Sequence, residues 1–282
     1  MTDAIRITGA TRLYAIVGDP IAQVRSPEVV TGRFVESGVD AVLVPAHVPA
    51  DRFDEIVPAL MQLRNLDGLL VTVPFKARML RFAQRLGTTA GSIGALNALR
   101  READGSWTGD MFDGAGFVRG AERKRQRLRG RRVALFGAGG AGGAIAFALA
   151  EANVQSIAVI DPAPGRAAAL VEKLRAPFPG CTLSVATAKP ADADMVVNAS
   201  PVGMKAGDGL PGDIGELRAD TLVGDVVILA TPTPMIQHAS KSGCPWVDGR
   251  DMHAGQVDAL IDFLTARSTS RRNSEQNGAR TR

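Results

Sequence analysis

Apolar and polar positions fall into blocks of two kinds along the chain. Short runs of apolar and branched residues, such as Tyr14-Ala15-Ile16-Val17 and Leu69-Leu70-Val71-Thr72-Val73, have the length and composition of buried strands. Longer stretches between them carry apolar residues three or four apart. In 50–63 these are Phe53, Ile56, Val57, Leu60 and Leu63, which form one stripe on a helix. Residues 27–37 predict another helix, with Ser26 as N-cap and Pro27 in the first turn. Residues 41–44 predict a second strand, and Pro74 stops the third. This β-α-β-α-β order predicts an α/β fold with a mostly parallel sheet.

The second half repeats the theme. Strands are predicted at 133–136, 156–160, 183–186, 195–198, 222–228 and 246–247, with helices between them. A last amphipathic helix over 252–265 puts Val257, Leu260, Ile261 and Leu264 on one face. The tail from 268 to 282 is rich in Ser, Arg, Asn and Gly, and disorder is expected there.

Residues 133–150 (VALFGAGGAGGAIAFALA) lack charge and approach the length of a short membrane span. Five glycines in mid-segment argue against one continuous helix. Read as strand, turn and helix, they fall where a turn belongs. The pattern Gly137-x-Gly139-x-x-Gly142 directly after a strand and before a small-residue helix is a dinucleotide-binding signature. Gly137 makes the tight turn, Gly139 lets a pyrophosphate approach, and Gly142 allows close helix–strand packing. Gly140 and Ala141 open the helix whose N-terminal N–H groups face the phosphates. Asp161 ends the next strand, 19 residues past Gly142, where a carboxylate accepts the adenosine ribose hydroxyls and repels a 2′-phosphate. Arg166 is within reach of that loop and is the residue that would serve NADP. On charge, NAD is favoured over NADP.

Composition narrows the classes further. The chain has 282 residues, 45% apolar and 22% charged, with a net charge of +4, ordinary for a globular protein of one or two domains. Much of the basic excess lies in 119–132 (RGAERKRQRLRGRR) and the tail. No aromatic residue interleaves with those charges to stack a base, so a solvated helix face is expected rather than a nucleic-acid site. Cys181 and Cys244 form no paired motif, and His47, His238 and His253 show no metal-ligand spacing. Reduced thiols, no metal and no membrane partner are expected. The first residues lack the basic-then-apolar layout of a secretory leader, so a cytoplasmic location is expected.

Hydride transfer to a carbonyl needs a proton donor for the nascent alkoxide, and no histidine stands in a suggestive motif. Lys76 follows a buried strand and is a candidate, because strand C-terminal ends face the ligand crevice of α/β folds. Asp113 lies in a turn just before the second unit. Around these residues the chain resembles the shikimate dehydrogenase family, over about 14–264. The matching segments are Gly18-Asp19-Pro20-Ile21 with Ser26-Pro27, Val71-Thr72-Val73-Pro74-Phe75-Lys76, and Gly94-Ala95-Leu96-Asn97. Next come Gly109-Asp110 with Asp113-Gly114, the glycine-rich turn, and Asn198-Ala199-Ser200-Pro201-Val202-Gly203-Met204. The last are Thr233-Pro234 and Gly249-Arg250-Asp251-Met252 with Gln256.

The resemblance implies an N-terminal substrate domain (1–114 and 249–267), a Rossmann-type NAD(P) domain (115–248) and a last helix returning to the first domain. It implies Lys76 and Asp113 as the catalytic pair. Asn97 and Gln256 would hold substrate hydroxyls, Ser26 and Thr72 would be hydroxyls of the substrate pocket, Met204 would lie near the nicotinamide, and Ser200 and Gly249 would bind the cofactor. The implied activity is NAD(P)-dependent oxidation of a ring secondary alcohol of a shikimate- or quinate-like cyclic acid. The implied setting is the shikimate pathway of aromatic amino acid biosynthesis, in a monomer or homodimer.

Departures from the family pattern cluster in the implied substrate pocket. Val24 replaces a serine, Leu70 an Asn, Ala98 a Thr, Met111-Phe112 an Asn-Thr pair, and Ile228 a Tyr. Each removes a hydrogen-bonding group, at about 1–3 kcal/mol per buried substrate atom left unpaired. A substrate less polar than shikimate, or differently substituted, is therefore expected. The alternative is a non-catalytic dinucleotide-binding sensor, against which the intact Lys76 and Asp113 argue.

Overall fold

The computed structural model describes residues 6–278, with side chains through 266. The tail expected to be disordered, 268–282, lies outside the residues whose side chains are described. The chain divides into two compact units. One comprises 1–88, 95–110 and 257–282, and the other 89–94 and 111–256. The sequence places the boundary at 114/115 with the return at 249, whereas the compact units divide at 110/111 and 256/257.

In the first unit, β1 (Arg12–Gly18), α1 (Ser26–Glu36), β2 (Ala41–His47), α2 (Phe53–Leu60) and β3 (Leu66–Val71) alternate as predicted. Parallel pairing sets β1 between β2 and β3. Tyr14, Ala15, Ile16 and Val17 are buried, as are Leu69, Leu70 and Val71. Ser26 is the first helical residue rather than the N-cap, a position held by Arg25 without a side-chain bond. The third strand ends at Val71, short of the predicted Val73, and Val73 is 40% exposed. Three short strands went unpredicted: β4 (Arg85–Leu86), β5 (Ala98–Arg101) and β6 (Trp107–Asp110). The β5–β6 hairpin is antiparallel and adds the order β3-β5-β6-β4 to the sheet. Its strands are four residues long and carry two arginines and a glycine, too short and too polar for the periodicity to show.

The second unit holds α3 (Thr88–Ile93, all but its first residue), α4 (Asp113–Arg123), β7 (Arg132–Phe136), α5 (Gly140–Glu151), β8 (Ser156–Ile160) and α6 (Pro164–Arg175). It continues with β9 (Thr182–Val185), β10 (Met195–Asn198), β11 (Leu222–Asp225), α7 (Pro234–Lys241), β12 (Trp246–Val247) and the start of α8 (Gly249–Gly278). Its sheet runs β12-β11-β10-β7-β8-β9 and every pair is parallel. Strand order reverses beside β7, the doubly wound arrangement. Asp113 is the first residue of α4, not a turn residue. Only the start of the basic run is helical, because α4 ends at Arg123 and the rest is the loop into β7.

Candidate functional site

In the first unit the segments bearing Thr72, Lys76 and Asn97 come together at the C-terminal end of β3. Thr72 follows the strand directly, and its N–H donates to Val17 O at 3.0 Å. Leu96 N donates to Lys76 O at 3.0 Å, and Val71 N donates to Asn97 O at 2.8 Å. The segments bearing Thr72, Lys76 and Asn97 are thus laced together through the backbone. Asn97 is buried and Lys76 half-buried, while Ser26 is buried at the start of α1. Leu70 and Ala98 face each other in register across β3 and β5, both buried. Two of the departures from the family pattern are therefore apolar core positions beside this cluster.

The second unit holds Asp113 and Gln256, both buried, and the cofactor turn. Gly137 has φ of 101°, a conformation that L side chains rarely adopt. A side chain there would also meet Ser200 N at 2.8 Å. At Gly142 a Cβ would stand 1.9 Å from Gly137 O, so helix α5 reaches the turn only because the residue is glycine. Gly139 is the N-cap of α5, and a Cβ there would meet nothing within 4 Å. Space stays open on that side, above the N–H groups of Gly140 and Ala141, where a pyrophosphate fits.

Asp161 does more than the sequence suggested. Its Oδ2 accepts from Ala138 N at 2.8 Å, so the carboxylate pins the glycine turn itself. Its Oδ1 accepts from Ala163 N at 2.8 Å and from Arg166 at 2.9 Å. Burial pushes its pKa up, but these three donors outweigh burial and hold it below the usual carboxylate value. Arg166 is largely exposed and ion-paired to this carboxylate.

Sequence reasoning missed a buried polar network behind the loops after β10 and β11. Asn198, Asp225 and Thr233 are 1%, 0% and 3% exposed. Asn198 Nδ2 donates to Asp225 Oδ1 at 3.0 Å and to Val202 O at 2.9 Å. Asn198 Oδ1 accepts from Ser200 Oγ at 2.7 Å. Val227 N donates to Asp225 Oδ1, and Thr233 Oγ1 donates to Asp225 Oδ2. Burial raises the Asp225 pKa to about 6 against these donors. A legible signal did exist: two strands that end apolar-then-polar, Val-Val-Asn and Val-Gly-Asp. Met204 and Ser200 are half-buried on the first loop. Gly249 lies against the second loop, where a Cβ would come within 2.6 Å of Ile228 Cγ1.

Much of the basic run is spent inside the second unit. Lys124 pairs with Asp251 at 2.6 Å and lies over the Trp246 ring at 3.7 Å. Arg123 donates to Ala254 O, Arg131 to Asp194 O, and Arg132 pairs with Asp194. Among the described residues no group of three or more His, Cys, Asp or Glu could hold a metal, and no helix is long and apolar enough to cross a membrane.

The family model for the shikimate dehydrogenase substrate binding domain matches residues 16–99. Shikimate dehydrogenase (NADP(+)) of Rubrobacter xylanophilus is 34% identical over 254 residues, covering 88% of each chain. The enzyme of that name from Anaeromyxobacter sp. (strain K) is 36% identical, covering 87% of this chain and 88% of the relative. Among solved structures, shikimate 5-dehydrogenase of Listeria monocytogenes, in complex with shikimate and NAD, superposes with a TM-score of 0.80. It is 27% identical over 93% of this chain and 94% of that one. Quinate dehydrogenase of Corynebacterium glutamicum, in complex with NAD, gives 0.80 at 28% identity over 91% and 94%.

Proposed function

The chain belongs to the shikimate dehydrogenase family, and on that premise we propose a divergent member that prefers NAD and oxidises a ring alcohol less polar than shikimate. In class it is an NAD(P)-dependent oxidoreductase acting on a CH–OH group. The observation that carries the reading is the glycine turn, packed against β10's loop on one side, open above Gly139 on the other, and pinned by Asp161.

Nicotinamide, when bound, supplies or accepts the hydride. Lys76 gives a proton to the ketone oxygen as the alcohol forms and takes it back in oxidation. Asp113 is assigned a substrate hydroxyl. Thr72, Asn97, Ser26 and Gln256 hydrogen-bond the remaining oxygens, Met204 lies near the nicotinamide, and Ser200 and Gly249 bind the cofactor.

The cofactor preference rests on Asp161 and Arg166. The carboxylate stays ionised beside the adenosine ribose, and its neighbours Pro162 and Ala163 supply no cation. Arg166 is committed to Asp161, so a 2′-phosphate would have to break that ion pair before using it. The curated relatives are named for NADP, whereas the Listeria and Corynebacterium structures hold NAD. Family membership thus leaves the choice to these side chains.

The substrate preference rests on apolar Leu70 and Ala98 beside the Lys76 cluster. A shikimate- or quinate-like cyclic acid with fewer or different ring substituents suits that lining. The two free thiols agree with a cytoplasmic protein, and a monomer or homodimer is the proposed state. A steady-state screen of shikimate, quinate and amino-substituted analogues, each with NAD and NADP, tests the reading. An analogue is expected to outperform shikimate in kcat/KM. Shikimate as the best substrate would remove the altered preference. Cofactor binding without turnover of any alcohol would favour the sensor alternative.

A further inference from the structure

β10, beside the strand that carries the cofactor turn, and its neighbour β11 end in a matched polar pair. Asn198 and Asp225 stand opposite each other in register at the last positions of β10 and β11. Such strand ends border the ligand crevice at a switch point. Neither side chain reaches solvent, since they are 1% and 0% exposed. A buried carboxylate is costly unless donors surround it, and Asp225 is surrounded by donors from three segments.

Each donor sits in or beside one of two loops: Asn198 precedes 199–204, Val227 lies in 226–232, and Thr233 follows it. Asn198 Nδ2 reaches Asp225 and also Val202 O, in the loop 199–204. The same loop is tied back by Ser200 N and Oγ on Asn198 Oδ1, and by Val202 N on Ser200 Oγ at 3.2 Å. Val227 N, in the loop 226–232, donates to Asp225 Oδ1 at 3.1 Å. Thr233 donates to Asp225 Oδ2, accepts from Ile236 N at 3.3 Å, and so caps α7. Arg250 grips the far end of the second loop through Leu229 O at 2.6 Å and Ala230 O at 2.9 Å. The first loop abuts the glycine turn, because the backbone of Ala199 and Ser200 occupies the space a Gly137 side chain would need.

We propose that Asp225 is a positioning residue for the cofactor, joining the loops 199–204 and 226–232 and the N-terminus of α7 into one fixed shelf beside the glycine turn. The proposal rests on the dinucleotide reading above. Asp225 touches no cofactor and acts through Asn198, Val227 and Thr233. Loss of the carboxylate takes this acceptor from three donors and unties the two loops from each other, while each keeps its own bonds. Cofactor binding then has to order them first, which weakens affinity. An amide at this position keeps an oxygen for Asn198 and Val227, and its NH2 can donate to the second lone pair of Thr233 Oγ1.

The test measures Kd for NADH and NADPH by fluorescence on the full-length wild type, Asp225→Ala, Asp225→Asn and Thr233→Val, with thermal unfolding to confirm a folded chain. Asp225→Ala is expected to raise Kd about tenfold or more, and Thr233→Val about threefold, while Asp225→Asn stays within about threefold of wild type. A folded Asp225→Ala that binds both cofactors as wild type does would overturn the proposal and leave the dinucleotide reading standing. If Asp225→Ala does not fold, Thr233→Val decides in its place, and an unchanged Kd there overturns the proposal. A wild type that binds neither cofactor would overturn the dinucleotide reading and the proposal together.

Discussion

Asp161 is read from the sequence as a ribose acceptor, and the structure adds a second duty, because the same carboxylate holds Ala138 of the glycine turn. The two roles separate by substitution. Asp161→Asn keeps an acceptor for the Ala138 N–H and removes the charge that both repels a 2′-phosphate and retains Arg166. Its kcat/KM for NADP relative to NAD is expected to rise about tenfold, worth about 1.4 kcal/mol. Lys76→Ala is expected to lower kcat by about 10²- to 10⁴-fold with little change in cofactor affinity, as for loss of a general acid; full activity would remove the assigned role. Asp225 adds a pH dependence. Its pKa is raised to about 6 in the fold, chiefly by burial, with the charge of Asp248 adding to it. A raised carboxylate pKa stabilises the fold at low pH, and the contribution is lost as pH rises through about 6. That amounts to about 3 kcal/mol between pH 4 and pH 7. Denaturation curves should therefore show Asp225→Asn gaining stability relative to wild type over that interval.

At the scale of elements, the turn between β7 and α5 is tightly specified by its glycines. Helix α5 is buried along nearly its whole length, with residues 142–150 all buried. Its packing on the turn is set where Gly142 meets Gly137 O. Gly142→Ala is expected to push the helix off the turn, cost about 1–3 kcal/mol as overpacking does, and abolish cofactor binding measured by NADH fluorescence. In the first unit, the hairpin of β5 and β6 carries Asn97 at its entrance and Asp110 at its exit, joined by Asn97 N on Asp110 O at 3.1 Å. A catalytic-side residue thus depends on an element whose own sequence pattern is too short to read.

At the scale of the molecule, charge was the feature most open to misreading. The run 119–132 looks like a nucleic-acid patch in one dimension. Folded, Arg123, Lys124, Arg131 and Arg132 are bonded within their own unit, which leaves Arg119, Arg125, Arg127 and Arg129 exposed on α4's outer turn and the following loop. Exposed cations without a base-stacking platform bind weakly and are screened by salt. Retention on immobilised DNA is expected to vanish by about 0.2 M salt, and replacing Arg125, Arg127 and Arg129 together with Gln should leave cofactor binding unchanged.

What the sequence determined by itself was local in origin. Apolar periodicity located the parallel strands and the helices between them, and the glycine spacing located the cofactor turn. Lys76 was legible as a candidate because it follows a strongly patterned strand, whereas Thr72 and Asn97 came from the resemblance to the family. Tertiary structure alone decided what depends on partners distant in the chain. It showed that Asp161 clamps a turn 23 residues earlier and that Asp225 gathers Asn198, Val227 and Thr233. It also showed that Leu70 and Ala98 share one buried face. A hydrogen bond between such residues leaves no periodicity in the sequence, because it is made by strand register and burial, and both exist only after the sheet has formed.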